Sequence, residues 1–332
     1  MSVSLKEIRI TDFPGISIGQ VEDAEAGTGV TVVLCPDGMA ASIDVRGGGP
    51  ASRDTRVLDP LAAAEYIHAV VLGGGSAFGL DAAGGVMGYL EERGIGLQVG
   101  RVRVPLVCQS DIFDLLFGDP LRRPDARMGY EACVAAESGN YRDGNYGAGC
   151  GASVGKMCGI DFAMKSGIGS YAVQIGALKV GALVVVNAMG DVTDPSTGRV
   201  IAGMRAAGGD KLGGGSEAFY RGTVALNTEL ATNTTIGAVI TNAALSKAQL
   251  AKVAGMAHDG YARTISPVHT SMDGDSIYGL SVGDVPASLD TVGVLAAEVM
   301  AQAVLVAVRS ADSAYGLPSA NSSRGKTSPN GG

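Results

Sequence analysis

The chain has 332 residues, 46% hydrophobic and 17% charged, enough apolar material for a large buried core. A formal net charge of -8 without a dense Lys/Arg run argues against nucleic acid or an anionic membrane as the main partner, and favours a small neutral or cationic ligand. Five cysteines with no CxxC pair suggest neither a disulfide framework nor a zinc site, so they read as small buried hydrophobes, and no metal or cofactor is expected.

In chain order, MSVSLKEIRITDF carries charges where a signal peptide needs an apolar core, and no later apolar run reaches membrane-spanning length unbroken, so a cytoplasmic protein is expected. From 8 to 45, short β-rich runs, among them 29–34 and 40–45, alternate with Gly, Pro and Asp and read as strands joined by turns. Asp59-Pro60 sets a cap and a first-turn proline before an expected short helix through Tyr66, and 68–72 reads as a buried strand. After Gly73-Gly74-Gly75-Ser76, Leu80, Ala83, Met87 and Leu90 recur at helical spacing, with Gly94 where a C-terminal cap belongs. The stretch 203–232 lacks a sustained period and reads as an exposed connection. It leads into Asn233-Thr234-Thr235 and an expected strand at 236–241. Ser246 to Gln249 matches a capping box, with Leu245 and Leu250 as a hydrophobic staple, so a helix runs toward His258. A second helix, 289–308, is apolar nearly all round and is expected between layers. The catalytic domain is expected to span 1–310, with 311–332 a polar, disordered tail.

Asn233-Thr234-Thr235 is the most informative feature. If the Asn233-Thr234 bond broke, Thr234 would begin a new chain, and its α-amine, ordinarily of pKa about 7.7–8.0, can act as general base for the hydroxyl beside it. The tripeptide is equally an N-glycosylation sequon or ordinary loop chemistry, although the charged N-terminus weakens the sequon reading. Asp273-Gly274-Asp275 precedes the strand-like 276–280; in an extended chain both carboxylates share a face and can hold an ammonium or position a hydroxyl, while Asp-Gly is also a hairpin signal. Asn187 ends the apolar run 182–186, and Lys156 follows GAGCGASVG. Each is either a surface residue at an element end or a polar group aimed at reacting atoms, the amide at an oxyanion and the ammonium near a nucleophile. The strand-glycine-helix unit 70–90 has G-x-G-x-x-x-G and no Lys-Ser/Thr pair, so it reads as tight packing rather than a phosphate site. His68, His258 and His269 lack metal-ligand spacing, and His68 reads as a core residue.

Seven segments, in this order, resemble the L-aminopeptidase/D-esterase family, which includes the β-peptidyl aminopeptidases and nylon-oligomer hydrolases. They are FPGISIG (13–19), VRGGGP (45–50), LGGGSAFGLDAAGGVMGYLEERG (72–94), GAGCGASVGK (147–156), ALVVVNAMGDV (182–192), NTTIGAVITNA (233–243) and HTSMDGDSIYGLS (269–281). The resemblance covers nearly all the chain to about Val308. It implies a four-layer αββα fold of the N-terminal-nucleophile-hydrolase kind and self-cleavage between Asn233 and Thr234, giving chains 1–233 and 234–332. It further implies an amidohydrolase acting on small peptides, amino-acid amides or ω-amino-acid oligomers, assembled as a homo-tetramer or larger. By the same match Thr234 is the nucleophile, Asn187 the oxyanion donor, Lys156 the ammonium beside the nucleophile, and Asp273 and Asp275 the orienting acids. Asp273, where aminopeptidases often have Ser, leans toward the nylon-oligomer branch. Cys108-Gln109-Ser110-Asp111 stands where aminopeptidases tend to place a glutamate for the substrate's free amine, making Gln109 and Asp111 the substrate-binding candidates, and Gln20 replaces a common His. The alternatives are an acyltransferase of the ornithine acetyltransferase kind and a non-catalytic ligand-binding protein of this fold.

Overall fold

The computed structural model describes residues 5–206, 212–220 and 233–324. The elements that position the site are β1 (Ser17–Asp23), β2 (Thr28–Val45), β3 (Ile67–Gly73), α1 (Ala82–Glu92), β4 (Val107–Asp111), α2 (Ala126–Glu137), β5 (Ile168–Ile175), β6 (Leu178–Asn187), β7 (Thr234–Ala243), α3 (Lys247–Thr264), β8 (Ser276–Val285) and α4 (Leu289–Ser310).

Alternation of side chains along the strands sorts the apolar residues into three cores. On β6, Val180, Ala182, Val184 and Val186 pack with the apolar faces of α3 and α4, whereas Leu183 and Val185 point into an inner core. On β3, Val70 and Leu72 enter that same inner core, and Ala69 and Val71 pack with residues of α1 and α2. The layers are therefore α3 and α4, a sheet containing β5-β6-β7-β8, a sheet containing β1 to β4, and α1 and α2, the αββα arrangement expected. Strand β2 belongs to both sheets: its first half pairs with β1 and β3, its second with β8. A register shift between Leu34 and Met39 marks the passage, so the two expected strands are one long irregular strand. Strands β7 and β8 run parallel, and α3 supplies the crossover such a pair requires.

The capping box of α3 is present, with the Ser246 N–H donating to Gln249 Oε1 at 2.9 Å and Leu245 and Leu250 buried beside it. Gly94 closes the end of α1 with φ +68°, its N–H donating to the Glu91 carbonyl. No helix follows Asp59-Pro60, contrary to expectation. A 3-10 turn at Thr55–Leu58 precedes it, and the carbonyls of Val57, Ala62 and Ala64 accept from the Lys247 ammonium at 2.9, 3.2 and 2.8 Å, which removes them from a helical ladder.

Helix α4 lies in an outer layer rather than between layers, burying Ala296, Met300 and Val304 while Val294 is exposed. It is long and apolar enough to cross a membrane by length and composition, with Glu298 breaking its apolar run, and most of it is buried in this fold. Residues 311–324 are not a disordered tail: Tyr315 and Leu317 pack with Phe117 and Ala163, and Ala320–Arg324 is helical. The remainder of the expected tail, 325–332, lies outside the described residues. Within the expected connection, Gly215–Tyr220 is helical, and 207–211 and 221–232 lie outside the described residues. Four cysteines are buried as expected, but Cys158 is exposed.

Candidate active site

Strand periodicity fixes where the junction hydroxyl points. Ile236, Ala238 and Ile240 on β7 face the inner core, so Thr234, two residues earlier, shares that face at the strand's first position. On β6, Leu183 and Val185 place Asn187 on the same face, and the antiparallel register sets Asn187 opposite Thr234. Both are buried. Thr234 Oγ1 donates to the Asn233 carbonyl oxygen at 2.5 Å, and the Gly274 N–H donates to that oxygen at 2.8 Å. The junction carbonyl is thus polarised by a main-chain donor while a hydroxyl lies against it.

The acid loop supplies that donor. Asn233 pairs with Asp273 in a parallel bridge, so 273–275 runs beside the junction rather than turning as a hairpin. Asp273 Oδ2 accepts from the Thr270 N–H and hydroxyl at 3.1 and 2.5 Å. Asp275 Oδ1 accepts from the Thr235 N–H at 2.7 Å, and its Oδ2 accepts from the His269 N–H at 3.1 Å and contacts His269 Nδ1 at 2.8 Å. Burial, and secondarily the neighbouring Asp275, pushes the Asp273 carboxyl up to about 6.

The segment VRGGGP holds this loop by its backbone: the Arg46 and Gly47 N–H groups donate to the Asp275 carbonyl, and the Gly49 N–H to the Asp273 carbonyl. A Cβ on Gly47 would lie 2.3 Å from the Asp273 carbonyl oxygen, so a side chain there would drive the acid loop off its position.

Lys156 completes the cluster from the other side of Asn187. Its Nζ donates to the Asn187 carbonyl at 3.0 Å and to Asn187 Oδ1 at 2.8 Å, and the Ser153 N–H donates to Oδ1 at 3.1 Å. With its oxygen fixed in this way, the amide turns Nδ2 to the Phe113 carbonyl at 3.0 Å, using one of its two N–H groups. Burial draws the Lys156 ammonium down to about 7, against the opposing pull of Asp273 and Asp114. Thr234, Asn187, Lys156, Asp273 and Asp275 are accordingly all brought to one end of β6, β7 and β8.

Gln109 and Asp111 are placed elsewhere. On β4, Cys108 faces the inner core and Val107 the helix side, so Gln109 and Asp111 point toward α1. Gln109 Oε1 accepts the Ala83 N–H, and its Nε2 donates to the Gly79 carbonyl and to Asp111 Oδ1, each at 2.8 Å. These two residues tie the glycine loop to the start of α1, and their hydrogen bonds go to Ala83, Gly79 and each other instead of to the five residues above. Ser110 is the one that faces inward, hydrogen-bonded to the Tyr278 hydroxyl at 2.7 Å. Gln20 has a structural place too, its amide bonded to both the N–H and carbonyl of Arg142.

Sequence reasoning missed the Gly274 N–H, the Phe113 carbonyl, His269 and Asp114. Asp114 accepts the Gly75 N–H and the Thr28 hydroxyl, each at 2.7 Å, and burial pushes it up to about 6. The glycine strings were the available signal: a Cβ on Gly74 would lie 1.9 Å from Asp114 Oδ2 and one on Gly151 2.5 Å from its Cβ. Among the described residues no group of three or more His, Cys, Asp and Glu is placed to hold a metal ion.

An αββα frame with a buried hydroxyl opening a central strand, beside an amide, an ammonium and two acids, defines a hydrolase of amide bonds built on the N-terminal-nucleophile architecture. The chain belongs to peptidase family S58, whose family model matches residues 9–321. It is 39% identical over 348 residues to an uncharacterized aminopeptidase of Mycobacterium leprae, covering 93% of this chain and 92% of that protein. It is 32% identical over 314 residues to the 6-aminohexanoate-oligomer endohydrolase of Kocuria sp., covering 90% and 85%. Its fold is similar to that of the L-aminopeptidase D-Ala-esterase/amidase of Ochrobactrum anthropi, a variant of the Ntn hydrolase fold, with a TM-score of 0.66 at 19% identity over 91% of this chain and 86% of that one.

Proposed function

We propose that the chain matures by breaking its own Asn233-Thr234 bond and then hydrolyses small peptides, amino-acid amides or ω-amino-acid oligomers through an acyl-enzyme on Thr234. The observation that carries this reading is the Thr234 hydroxyl lying on a junction carbonyl already held by the Gly274 N–H. In maturation Thr234 Oγ bonds to the Asn233 carbonyl carbon, the Gly274 N–H meets the developing oxyanion, and the Thr234 nitrogen departs as an amine. Water then hydrolyses the ester, leaving an Asn233 carboxylate and a free Thr234 hydroxyl. No free amine exists at residue 234 before this step, so another base must take the hydroxyl proton. Lys156, linked to the site through Asn187 and drawn down to about 7, is suited to that role.

In turnover the freed amine is the base, Thr234 Oγ attacks the substrate amide, and the second N–H of Asn187 Nδ2 stabilises the oxyanion. The leaving amine takes the proton, and water releases the acyl group. Gln109 and Asp111 point away from the nucleophile, so β4 offers no carboxylate to a substrate's free amine. That arrangement, Asp273, and the likeness to an oligomer endohydrolase favour amide bonds whose cleavage does not require a free α-amine nearby. The reading takes the working form as a homo-tetramer or larger on family resemblance, and as cytoplasmic on the charges of MSVSLKEIRITDF.

A panel of free-amine dipeptides, N-blocked amides and 6-aminohexanoate oligomers, with quenched samples analysed by mass, tests the function. The expected result is hydrolysis of blocked amides or oligomers with the acyl group carried on the 234–332 fragment. Turnover with acyl mass elsewhere contradicts the acyl-enzyme reading, and hydrolysis confined to free-amine dipeptides contradicts the preference for bonds without a nearby free α-amine.

A further inference from the structure

Behind the nucleophile lies a histidine that the mechanism above does not use. His269 reaches Asp275 twice, through its own N–H at 3.1 Å and through Nδ1 at 2.8 Å, while the other oxygen of Asp275 holds the Thr235 N–H at 2.7 Å. Each carboxylate oxygen thus accepts one main-chain N–H, so Asp275 is held as an acceptor and the imidazole Nδ1 is the donor. The residue adopts φ +58°, a left-handed conformation uncommon for non-glycine residues, which aims both of its donors at one carboxylate.

The ring is braced from behind by α3. His258 packs edge-on to it with centroids 4.7 Å apart, and the Tyr261 ring lies 6.1 Å away. His258 itself is fixed by Nε2 on the Asp44 carbonyl at 3.1 Å, and burial draws it down to about 4, keeping it neutral against the imidazole it supports. The charged groups of the neighbourhood include Asp275 in front with Asp273 beside it, Asp44 behind His258, and Arg46, paired with Asp44 at 2.9 Å.

We infer that His269 is a positioning residue for Thr234, fixing Asp275 on the Thr235 N–H and thereby holding β7 in the register that presents the hydroxyl both for chain cleavage and for turnover. The inference rests on the proposed self-processing. Its chain of contact runs from the His269 imidazole to Asp275, to the main chain of Thr235, to Thr234, and it makes the α3 face of the molecule a support for a site on the opposite side of β7.

Two variants compatible with a left-handed backbone isolate the N–H. Asn accepts φ +58° and carries an amide N–H that can approach Asp275, whereas Gly accepts the conformation and keeps the main-chain N–H but has no side-chain donor. The experiment measures the rate at which full-length chain splits into 1–233 and 234–332, and kcat and KM of the split enzyme, for the wild type, His269→Asn and His269→Gly, with Tm as the control for folding. The expected result is splitting and kcat about 10- to 100-fold lower for His269→Gly, the size set by loss of a charge-assisted hydrogen bond. KM should be little changed, and His269→Asn should recover most of the loss although both variants lack the ring. His269→Gly at the wild-type rate, or both variants equally impaired in proportion to Tm, overturns the inference while leaving the processing reading intact. A wild-type chain that never splits removes the processing reading instead.

Discussion

Two pairs of buried acids, Asp273 with Asp275 and Asp111 with Asp114, do different work. Asp273 and Asp275 are both buried, as are Asp111 and Asp114, and burial raises Asp273, Asp111 and Asp114 alike. The difference lies in which backbone each pair grips. Asp275 holds the Thr235 N–H, and Asp273 is fixed by Thr270 beside Gly274, whose N–H sits on the junction carbonyl. Asp111 and Asp114 face the glycine loop instead, Asp114 holding the Gly75 N–H and Asp111 joined to the Gln109 amide. Buried carboxylates therefore mark a reaction centre here where they hold the nucleophile's strand, directly as Asp275 does or through the loop that carries Gly274 as Asp273 does.

Removing the hydroxyl should have the largest effect. Thr234→Ala should leave the chain uncleaved on a denaturing gel and lower turnover by at least about 10⁴-fold; normal turnover would place the chemistry elsewhere and make the first pair no different in kind from the second.

Lys156→Met should slow chain splitting about 10²-fold, the usual scale of a general base. Because the folded Lys156 titrates near 7, its neutral form grows as pH rises through that value, so wild-type splitting should accelerate from pH 6 to 8 and the variant should lose that rise. Splitting rates across this range measure it.

Asp275→Asn leaves one amide oxygen where two carboxylate oxygens met the Thr235 N–H and the His269 donors, so an N–H₂ faces a donor on one side, and kcat should fall about 10- to 100-fold.

Asp111→Asn should change turnover by about twofold or less, because its contacts lie on the α1 side. It should still alter stability. The folded carboxyl titrates well above its unfolded value of about 3.9, so the native chain keeps a proton that the unfolded chain loses. That contribution is fully present below about pH 4 and is lost as pH rises toward the folded value, so wild-type stability should decline over that range and the variant should decline less. Urea midpoints at pH 4, 5.5 and 7 test it.

Much of this was legible because apolar runs and helix caps are local signals. The run 236–241 announced its strand and Ser246 its helix, and the apolar run 182–186 lies within β6. Two features depended on partners distant in sequence. The expected helix after Asp59 was lost to an ammonium from Lys247, and the long strand β2 looked like two because its register shifts between sheets. The five candidate catalytic residues were nameable from motif order, whereas the alternation that turns Gln109 and Asp111 away was present in Cys108 and Ser110 and went unread. The Gly274 and Phe113 main-chain groups carry no side-chain signature and become visible only when β6, β7 and the acid loop are placed together.

Sequencing the N-termini of the purified protein tests the central claim most directly. The account predicts two chain starts in equal amount, one of them beginning Thr-Thr-Ile-Gly at residue 234, in the preparation that hydrolyses amides. A fully active preparation with a single start at the original N-terminus and an unbroken Asn233-Thr234 bond would contradict it.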